Sequence, residues 1–246
     1  MSDETSLPIE FAWNLGRLMS RIHDNMILEG PPGTGKSTYA VNLAQSQPVY
    51  RITCHADLLP SELLGHHIGE TGGATPWQMG PAARAWLEGG LLILDEITDL
   101  SSESKTVCHQ ILDDKQIAQL IMGNGENIRP HPGFRCIATT NRSAQELPDA
   151  LLDRFPIRMT IPIPSPEALS SLPDDLRQIV HNSYVSCGWT PDNPKRPLIT
   201  FREARTFAGL RQATNHLEAA RLVWQSRGED VLTHIQSFSP ANTPAA

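Results

Sequence analysis

Residues 30–37, GPPGTGKS, constrain the fold of this chain more than any other stretch of the sequence. Three glycines and two prolines among these residues disfavour a regular helix or a central strand. Their spacing fits G-x-x-x-x-G-K-[ST], in which glycine lets the backbone approach a phosphate chain without a Cβ atom in the way. Residues 26–28 before the loop predict a short buried strand, and residues 36–47 after it predict a helix. The segment therefore predicts a phosphate-binding loop between a strand and a helix.

The same loop indicates which residues hold the ligand. The N–H groups of the helix that starts near Lys36 carry the positive end of the helix dipole, so they favour an anion. Lys36 is expected to reach the β- and γ-phosphates, and the Ser37 hydroxyl is expected to hold Mg²⁺. The candidate nucleotide-binding residues are Gly30, Pro31, Pro32, Gly33, Thr34, Gly35, Lys36, Ser37, Thr38 and Asp95.

Short apolar segments alternate with helical patterns from residue 26 to about residue 163. The strand candidates are residues 26–28, 49–53, 91–94, 135–139 and 157–161. Apolar runs of this kind are typical of strands that are covered on both faces. The alternation predicts an α/β fold in which helices flank a parallel sheet. Ligands bind at the carboxyl ends of such strands, where the glycine-rich loop also lies.

The sequence changes character after this region. Residues 161–173 contain four prolines and three serines and are expected to form a linker. Helical periodicity returns in residues 174–187, 201–214 and 217–228. We expect a nucleotide-binding core at residues 1–163 and a small helical domain at residues 164–246. The proline-rich residues 189–200 are expected to be a loop, and residues 239–246 a disordered tail.

Polar side chains follow two of the predicted strands. Asp95 and Glu96 come directly after the apolar run LLIL, and Asn141 follows the strand CIATT. Asp95 is expected to hold Mg²⁺, through water, and Glu96 to orient or polarise the attacking water. Asn141 lies where it could contact the γ-phosphate or that water. A solvated acidic turn is the alternative for the two carboxylates, but the apolar residues before them disfavour it.

Three arginines are candidates for contacts with phosphate. Arg154 follows a short apolar helix and is expected to be an arginine finger that enters the site of a neighbouring subunit. A surface ion pair with Asp153 or Asp149 is the alternative. Arg202 or Arg205, in the helical domain, is expected to contact the phosphates, and an ordinary surface charge is the alternative for each.

These motifs resemble those of AAA+ ATPases of the MoxR-like, dynein-related type, over roughly residues 25–211. GPPGTGKS resembles the Walker A loop, LLILDEI the Walker B strand, FRCIATTN the sensor-1 strand and LDRF the finger segment. Residues 57–80, approximately, resemble the family's helix-2 insert. Residues 116–134, approximately, resemble its pre-sensor-1 hairpin, where Asn-Gly independently indicates a tight turn. The chain departs from the family in having TDL after Walker B, where Asn-Arg is frequent, and Thr-Phe-Arg in the sensor-2 segment.

The resemblance implies a P-loop NTPase core followed by a helical lid domain, and an ATP hydrolase that uses ATP and Mg²⁺. It implies a ring, usually a homo-hexamer, with ATP between subunits and a protein client that is remodelled or activated. A von Willebrand A-domain protein is a frequent partner of such rings. The catalytic residues that it implies are Glu96, Asn141, Arg154 and Arg202.

Other functions share part of this pattern. A motor on nucleic acid is disfavoured by the net charge of −7 and by the lack of a basic helix. A small-molecule kinase would also carry the loop and Lys36, but it needs neither a finger nor a sensor arginine. A non-hydrolysing switch is the least favoured, because Glu96 and Asn141 are both present. No apolar run approaches the roughly 18 residues of a membrane span and no leader is recognisable, so a cytoplasmic protein without a membrane partner is expected.

Overall fold

The computed structural model of the protein describes residues 9–69 and 76–237, so the predicted tail at residues 239–246 lies outside it. In chain order the strands are β1 (Asn25–Glu29), β2 (Val49–Thr53), β3 (Gly65–His67), β4 (Trp77–Met79), β5 (Leu91–Asp95), β6 (Leu120–Ile121), β7 (Asn127–Ile128), β8 (Arg135–Thr140) and β9 (Ile157–Thr160). The helices are α1 (Ile9–Ile22), α2 (Lys36–Asn42), α3 (Pro60–Leu64), α4 (Pro81–Glu88), α5 (Ser102–Ile111), α6 (Asp149–Leu152), α7 (Pro166–Ser170), α8 (Asp174–Cys187), α9 (Phe201–Ala213), α10 (His216–Trp224) and α11 (Gly228–Ser237). None of these helices is both long and apolar enough to cross a membrane.

The main sheet contains five parallel strands in the order β2-β5-β8-β1-β9. All five strands occur where the sequence predicts them, so the predicted α/β fold is confirmed. The register places Glu29 beside Thr140 and Asp95 beside Thr139. Because the strands are parallel, the carboxyl ends of β1, β5 and β8 lie next to one another, and the residues that follow these strands are brought together.

The described residues form two compact units. The sheet unit contains Asn14–Glu29 and Lys36–Thr160, and therefore the whole main sheet. The helical unit contains residues 9–13, Gly30–Gly35 and residues 161–237. Each unit has its own cluster of buried apolar side chains. The division into domains that the sequence suggested, between residues 163 and 164, stays a prediction.

The segment predicted to be a linker contributes to the core of the helical unit. Ile163, Leu169 and Leu172 are buried there among the apolar residues of the other helices. Pro166 is the first residue of α7, and Pro173 immediately precedes α8. Proline is tolerated at both positions because the N–H groups of a first helical turn have no intrahelical partner. Two of the four prolines in this segment therefore mark helix starts, and the segment packs as part of the helical unit. That it links two domains stays a prediction.

Other helix boundaries also differ from the prediction. α2 ends at Asn42 and not at residue 47, because Gln45 takes a left-handed backbone with φ of 54° and a proline follows at position 48. α1 and α11 were not predicted. The predicted buried face of the α2 segment is confirmed: it comprises Tyr39, Ala40, Leu43 and Ala44.

Two small hairpins are added to the sheet unit. β3 and β4 pair within the segment that resembles the helix-2 insert, of which residues 70–75 lie outside the description. β6 and β7 pair within the segment that resembles the pre-sensor-1 hairpin, and Gly125 turns the chain with φ of 86°. A Cβ atom at Gly123 would lie 2.7 Å from the Trp77 ring. The absence of a side chain at Gly123 thus lets the two hairpins touch.

Candidate nucleotide-binding site

The glycine-rich loop, Gly30–Gly35, lies in the helical unit and runs from β1 to α2. Gly33 and Gly35 have φ values of 82° and 95°, in the left-handed region that favours glycine. A Cβ atom at Gly35 would meet no other atom within 4 Å, so the space beside this backbone is open. Thr34 is buried, and its hydroxyl donates to the Pro31 carbonyl at 3.3 Å. The loop is therefore fixed from within and accessible beside its last glycine.

The start of α9 lies against this loop within the helical unit. A Cβ atom at Gly33 would lie 3.2 Å from Thr200 Cβ and 3.6 Å from Phe201 N. Arg202 is the second residue of α9 and is exposed, as is Arg205 one turn later. Of the two candidate sensor arginines, Arg202 is thus closer along the helix to the contact with the loop.

Lys36, Glu96 and Asn141 form a hydrogen-bonded cluster in the sheet unit. Lys36 Nζ donates to Asn141 Oδ1 at 2.7 Å. The Asn141 backbone N–H donates to Glu96 Oε2 at 2.9 Å, and Asn141 Nδ2 donates to Glu96 Oε1. Lys36 begins α2, Glu96 follows β5 and Asn141 follows β8, so the parallel register of the sheet brings three separate segments together.

The environment of this cluster changes the acidity of its charged members. Burial lowers the pKa of the Lys36 amine to about 8, although the negative charges of Glu96 and Asp95 oppose this effect. Burial also raises the pKa of the Glu96 carboxyl, against the opposing effects of the Asn141 backbone N–H and the Lys36 charge. A carboxylate with a raised pKa is a better proton acceptor near neutral pH. Glu96 also has a left-handed backbone, with φ of 60°, which is uncommon outside glycine and recurs at functional sites.

Asp95, the last residue of β5, is held by two neighbouring strands. Asp95 Oδ1 accepts a hydrogen bond from Thr139 Oγ1 at 2.9 Å, and Asp95 Oδ2 forms an ion pair with Arg51 Nε. Arg51 lies on β2 at the edge of the sheet. Sequence reasoning missed Arg51 and Thr139, since their proximity to Asp95 depends on the strand order. Both oxygen atoms of the Asp95 carboxylate are therefore held in place by neighbouring strands.

Ser37 and Thr38 are the second and third residues of α2. Ser37 is partly exposed and Thr38 is exposed. Within the part of the chain that the structure describes, the Ser37 hydroxyl has no hydrogen-bond partner, so no competing contact would have to be broken when it binds a ligand.

Arg154 lies apart from the Lys36 cluster, two residues beyond α6. Its Nη2 atom pairs with Asp113 Oδ1 at 2.9 Å, and its Nη1 atom is 3.8 Å from Asp153 Oδ2. The Arg154 side chain is 33% exposed, and its Nε atom is buried without a hydrogen-bond partner among the described residues. In a single chain, Arg154 thus makes a surface ion pair, and Asp113 is a partner that the sequence did not suggest.

Glu29, which ends β1 just before the loop, was also missed by sequence reasoning. Its carboxylate accepts hydrogen bonds from the Ala144 backbone N–H at 3.0 Å and from Thr160 Oγ1 at 3.1 Å. Glu29 therefore ties the end of β1 to β9 and to the segment that follows Asn141. The sequence could have indicated this role, because Glu29 is an acidic residue at the end of an otherwise apolar strand.

The family model described as AAA domain (dynein-related subfamily) matches residues 25–155, more than half of the chain. The chain belongs to this family. The resemblance to MoxR-like AAA+ ATPases of the dynein-related type is thereby confirmed. The match in this AAA protein includes the glycine-rich loop, the Lys36 cluster and Arg154, and it ends before α7.

The sequences of named relatives match only part of this AAA protein. Protein NorQ from Paracoccus denitrificans is 35% identical over 124 residues, which are 50% of this chain and 45% of NorQ. Protein CbbQ from Hydrogenophilus thermoluteolus is 29% identical over 166 residues, 65% of this chain and 59% of CbbQ. The match thus spans about half the length of these relatives. The crystal structure of NtrX from Brucella abortus in complex with ATP has a similar fold, with a TM-score of 0.50 and 17% identity over 97% of this chain and 70% of that one.

Proposed function

We propose that this AAA protein binds ATP with Mg²⁺ and hydrolyses the terminal phosphoanhydride bond. The observation that carries this proposal is the Lys36–Asn141–Glu96 cluster, in which a candidate phosphate-binding cation is linked to a candidate base by one amide side chain. Membership of the AAA family supports the same reaction.

The residues present fit a magnesium–nucleotide complex. The loop offers open space beside Gly35, and Lys36 supplies a positive charge at the end of the loop. Ser37 and Asp95 supply the hydroxyl and carboxylate oxygens that Mg²⁺ prefers. Mg²⁺, when bound, neutralises negative charge on the phosphates.

Each side chain of the cluster has a separate task in this proposal. Lys36 holds the β- and γ-phosphates, Glu96 accepts a proton from the attacking water, and Asn141 orients that water or the γ-phosphate. Because Asn141 bonds to both Lys36 and Glu96, a contact that draws Lys36 away also changes the hydrogen bonding of the base. The cluster therefore links phosphate binding to the chemistry through three residues.

Replacement of Lys36 by alanine tests nucleotide binding directly. We expect the dissociation constant of a fluorescent ATP analogue to rise about 10- to 150-fold, because a charge-assisted contact with phosphate contributes about 1.5–3 kcal/mol. Lys195→Ala removes an exposed lysine from a loop of the helical unit and is the matched control. Equal affinity in the wild type and in Lys36→Ala would contradict the proposal, and thermal unfolding checks that both variants fold.

The affinity for ATP is also expected to fall as pH rises through about 8. Without nucleotide, the Lys36 amine has a pKa of about 8, and a bound phosphate raises that pKa, so binding above pH 8 requires proton uptake. Below pH 8 the amine already carries its proton and this effect is absent. Titrations between about pH 7 and pH 9.5 measure the dependence. A decline of the same size in Lys36→Ala would assign the effect to another group.

We further propose that the active form is a homo-hexameric ring with ATP at subunit interfaces. Arg154 acts as the finger across an interface and Arg202 as the lid sensor, which the position of α9 against the loop supports. The product of turnover is remodelling or activation of a protein client, with a von Willebrand A-domain protein as the candidate adaptor. Light scattering with and without ATP measures ring formation. The cytoplasmic location expected from the sequence stays a prediction.

A further inference from the structure

One tyrosine hydroxyl connects the glycine-rich loop to two helices of the helical unit. Tyr184 lies on α8 and is buried. Its Oη atom donates to the Pro32 carbonyl at 2.9 Å and accepts a hydrogen bond from the Phe201 backbone N–H at 3.1 Å. Pro32 belongs to the loop and Phe201 is the first residue of α9. A single oxygen thus fixes both segments relative to α8.

The loop comes so close to this hydroxyl that a side chain at Gly33 would not fit. A Cβ atom there would lie 2.8 Å from Tyr184 Oη and 3.2 Å from Thr200 Cβ. Gly33 also has φ of 82°, a conformation that other residues rarely adopt. The contact between the loop and Tyr184 therefore depends on glycine both for its backbone conformation and for space.

A second bond holds the start of α9 on α8 beside Tyr184. The Ser183 Oγ atom accepts a hydrogen bond from the Ile199 backbone N–H at 2.8 Å. Thr200 then caps α9, because its Oγ1 atom accepts from the Glu203 backbone N–H at 3.2 Å. Two adjacent residues of α8 thus determine where α9 begins, and the position of Arg202 follows from that.

The hydroxyl of Tyr184 serves two main-chain groups that are partly buried. Burial raises the pKa of Tyr184 to about 12, so the hydroxyl keeps its proton under ordinary conditions and can donate it to Pro32. Without the hydroxyl, the Pro32 carbonyl and the Phe201 N–H would both lose this partner, and the loss is costly to the extent that the two groups are buried.

We propose that Tyr184 is a positioning residue that holds the phosphate-binding loop in its binding conformation and sets the place of Arg202 beside it. The inference rests on the proposed nucleotide binding. A glycine-rich loop loses much conformational entropy when a ligand orders it. A loop already fixed at Pro32 loses less, and pre-organisation of this kind appears as tighter binding.

Tyr184→Phe tests this assignment, because it removes the hydroxyl and keeps the aromatic ring. The matched control is Tyr39→Phe, which removes the hydroxyl of another buried tyrosine, one bonded to the backbone of Arg17 in the sheet unit. We expect hydrogen exchange of the amides of Gly33–Lys36 and of Phe201 in Tyr184→Phe, without nucleotide, to become about tenfold faster. We also expect the dissociation constant of a fluorescent ATP analogue to rise about tenfold. Tyr39→Phe should change neither quantity in these segments.

The two measurements separate this inference from the proposal on which it rests. Unchanged exchange of the loop amides in Tyr184→Phe overturns the positioning role, whatever the affinity for nucleotide. Faster loop exchange with unchanged affinity also overturns it, because Tyr184 would then be structural alone. A wild-type protein that binds no ATP analogue would instead overturn the proposed function, while the exchange data would still report whether Tyr184 holds the loop.

Discussion

Replacement of Arg154 by alanine is expected to leave ATP binding intact and to lower turnover about 10³- to 10⁵-fold, the range of effects known for arginine fingers. The guanidinium of Arg154 does not join the Lys36 cluster of its own chain but pairs with Asp113. An ion pair that is one-third exposed on each side contributes at most about 1 kcal/mol. Breaking this ion pair, so that Arg154 can reach a neighbouring subunit, therefore costs little free energy. The cost is small compared with the lowering of the activation barrier that the expected gain in rate implies. Steady-state ATP hydrolysis at a protein concentration that supports assembly measures the effect.

Asp113→Asn is the matched variant for Arg154, because it weakens the same ion pair and leaves the guanidinium in place. If Arg154 acts as a finger, Asp113→Asn should keep turnover within about threefold of the wild type. If the ion pair merely supports the fold, the two variants should lose turnover alike, and the finger assignment would be wrong.

Mixing two variants with complementary defects tests whether Arg154 acts across subunits. A Lys36→Ala subunit supplies an intact Arg154, and an Arg154→Ala subunit supplies an intact Lys36 and Glu96. Mixed rings should therefore regain part of the wild-type activity, with a maximum at intermediate ratios. No recovery at any ratio would count against action of Arg154 across subunits.

Glu96→Gln is expected to bind ATP with nearly normal affinity and to hydrolyse it about 10²- to 10⁴-fold more slowly. Glutamine keeps one carbonyl oxygen that can accept a hydrogen bond from Asn141, but it cannot take a proton from water. Burial raises the pKa of Glu96, so the wild-type side chain is tuned towards proton transfer in a way that glutamine cannot reproduce. Single-turnover hydrolysis, combined with titration of the fluorescent analogue, separates the loss of chemistry from any loss of binding.

Glu103→Gln is the control for Glu96, since Glu103 is exposed in the first turn of α5. It should retain wild-type turnover. Normal hydrolysis by Glu96→Gln would remove Glu96 from the role of base. If Glu96→Gln holds ATP without turnover, it is also the form with which to capture a protein client.

The sequence predicted the five strands and the cluster residues for one reason. Strands of a covered parallel sheet appear as short apolar runs, and polar residues at their carboxyl ends must lie at one edge of the sheet. Asp95, Glu96 and Asn141 could therefore be found by their position after such runs. The lateral partners of Asp95, which are Arg51 and Thr139, could not, because periodicity does not specify strand order.

Two of the helices that the sequence analysis did not predict contain glycine. Gly16 lies inside α1 and Gly228 begins α11, and glycine ordinarily argues against a helix. A Cβ atom at Gly16 would lie 2.3 Å from Tyr39 Oη, and one at Gly228 would lie 2.8 Å from the Ala220 carbonyl oxygen. Both glycines are thus needed for close packing between elements, a requirement that exists only in the folded chain. The contact between Tyr184 and Pro32 joins residues 152 positions apart and had no local signal either.

The hydrogen bond between Lys36 and Asn141 also affects which anions Lys36 can bind. An incoming anion binds Lys36 only if it competes successfully with the Asn141 Oδ1 atom, which lies 2.7 Å from Lys36 Nζ. A lone chloride or orthophosphate offers few additional contacts to offset that exchange, whereas under the proposed function a polyphosphate chain would make further contacts with the protein. A preference for long phosphate chains would then arise from competition between Asn141 and the anion for Lys36. It would require no additional residues that select for chain length.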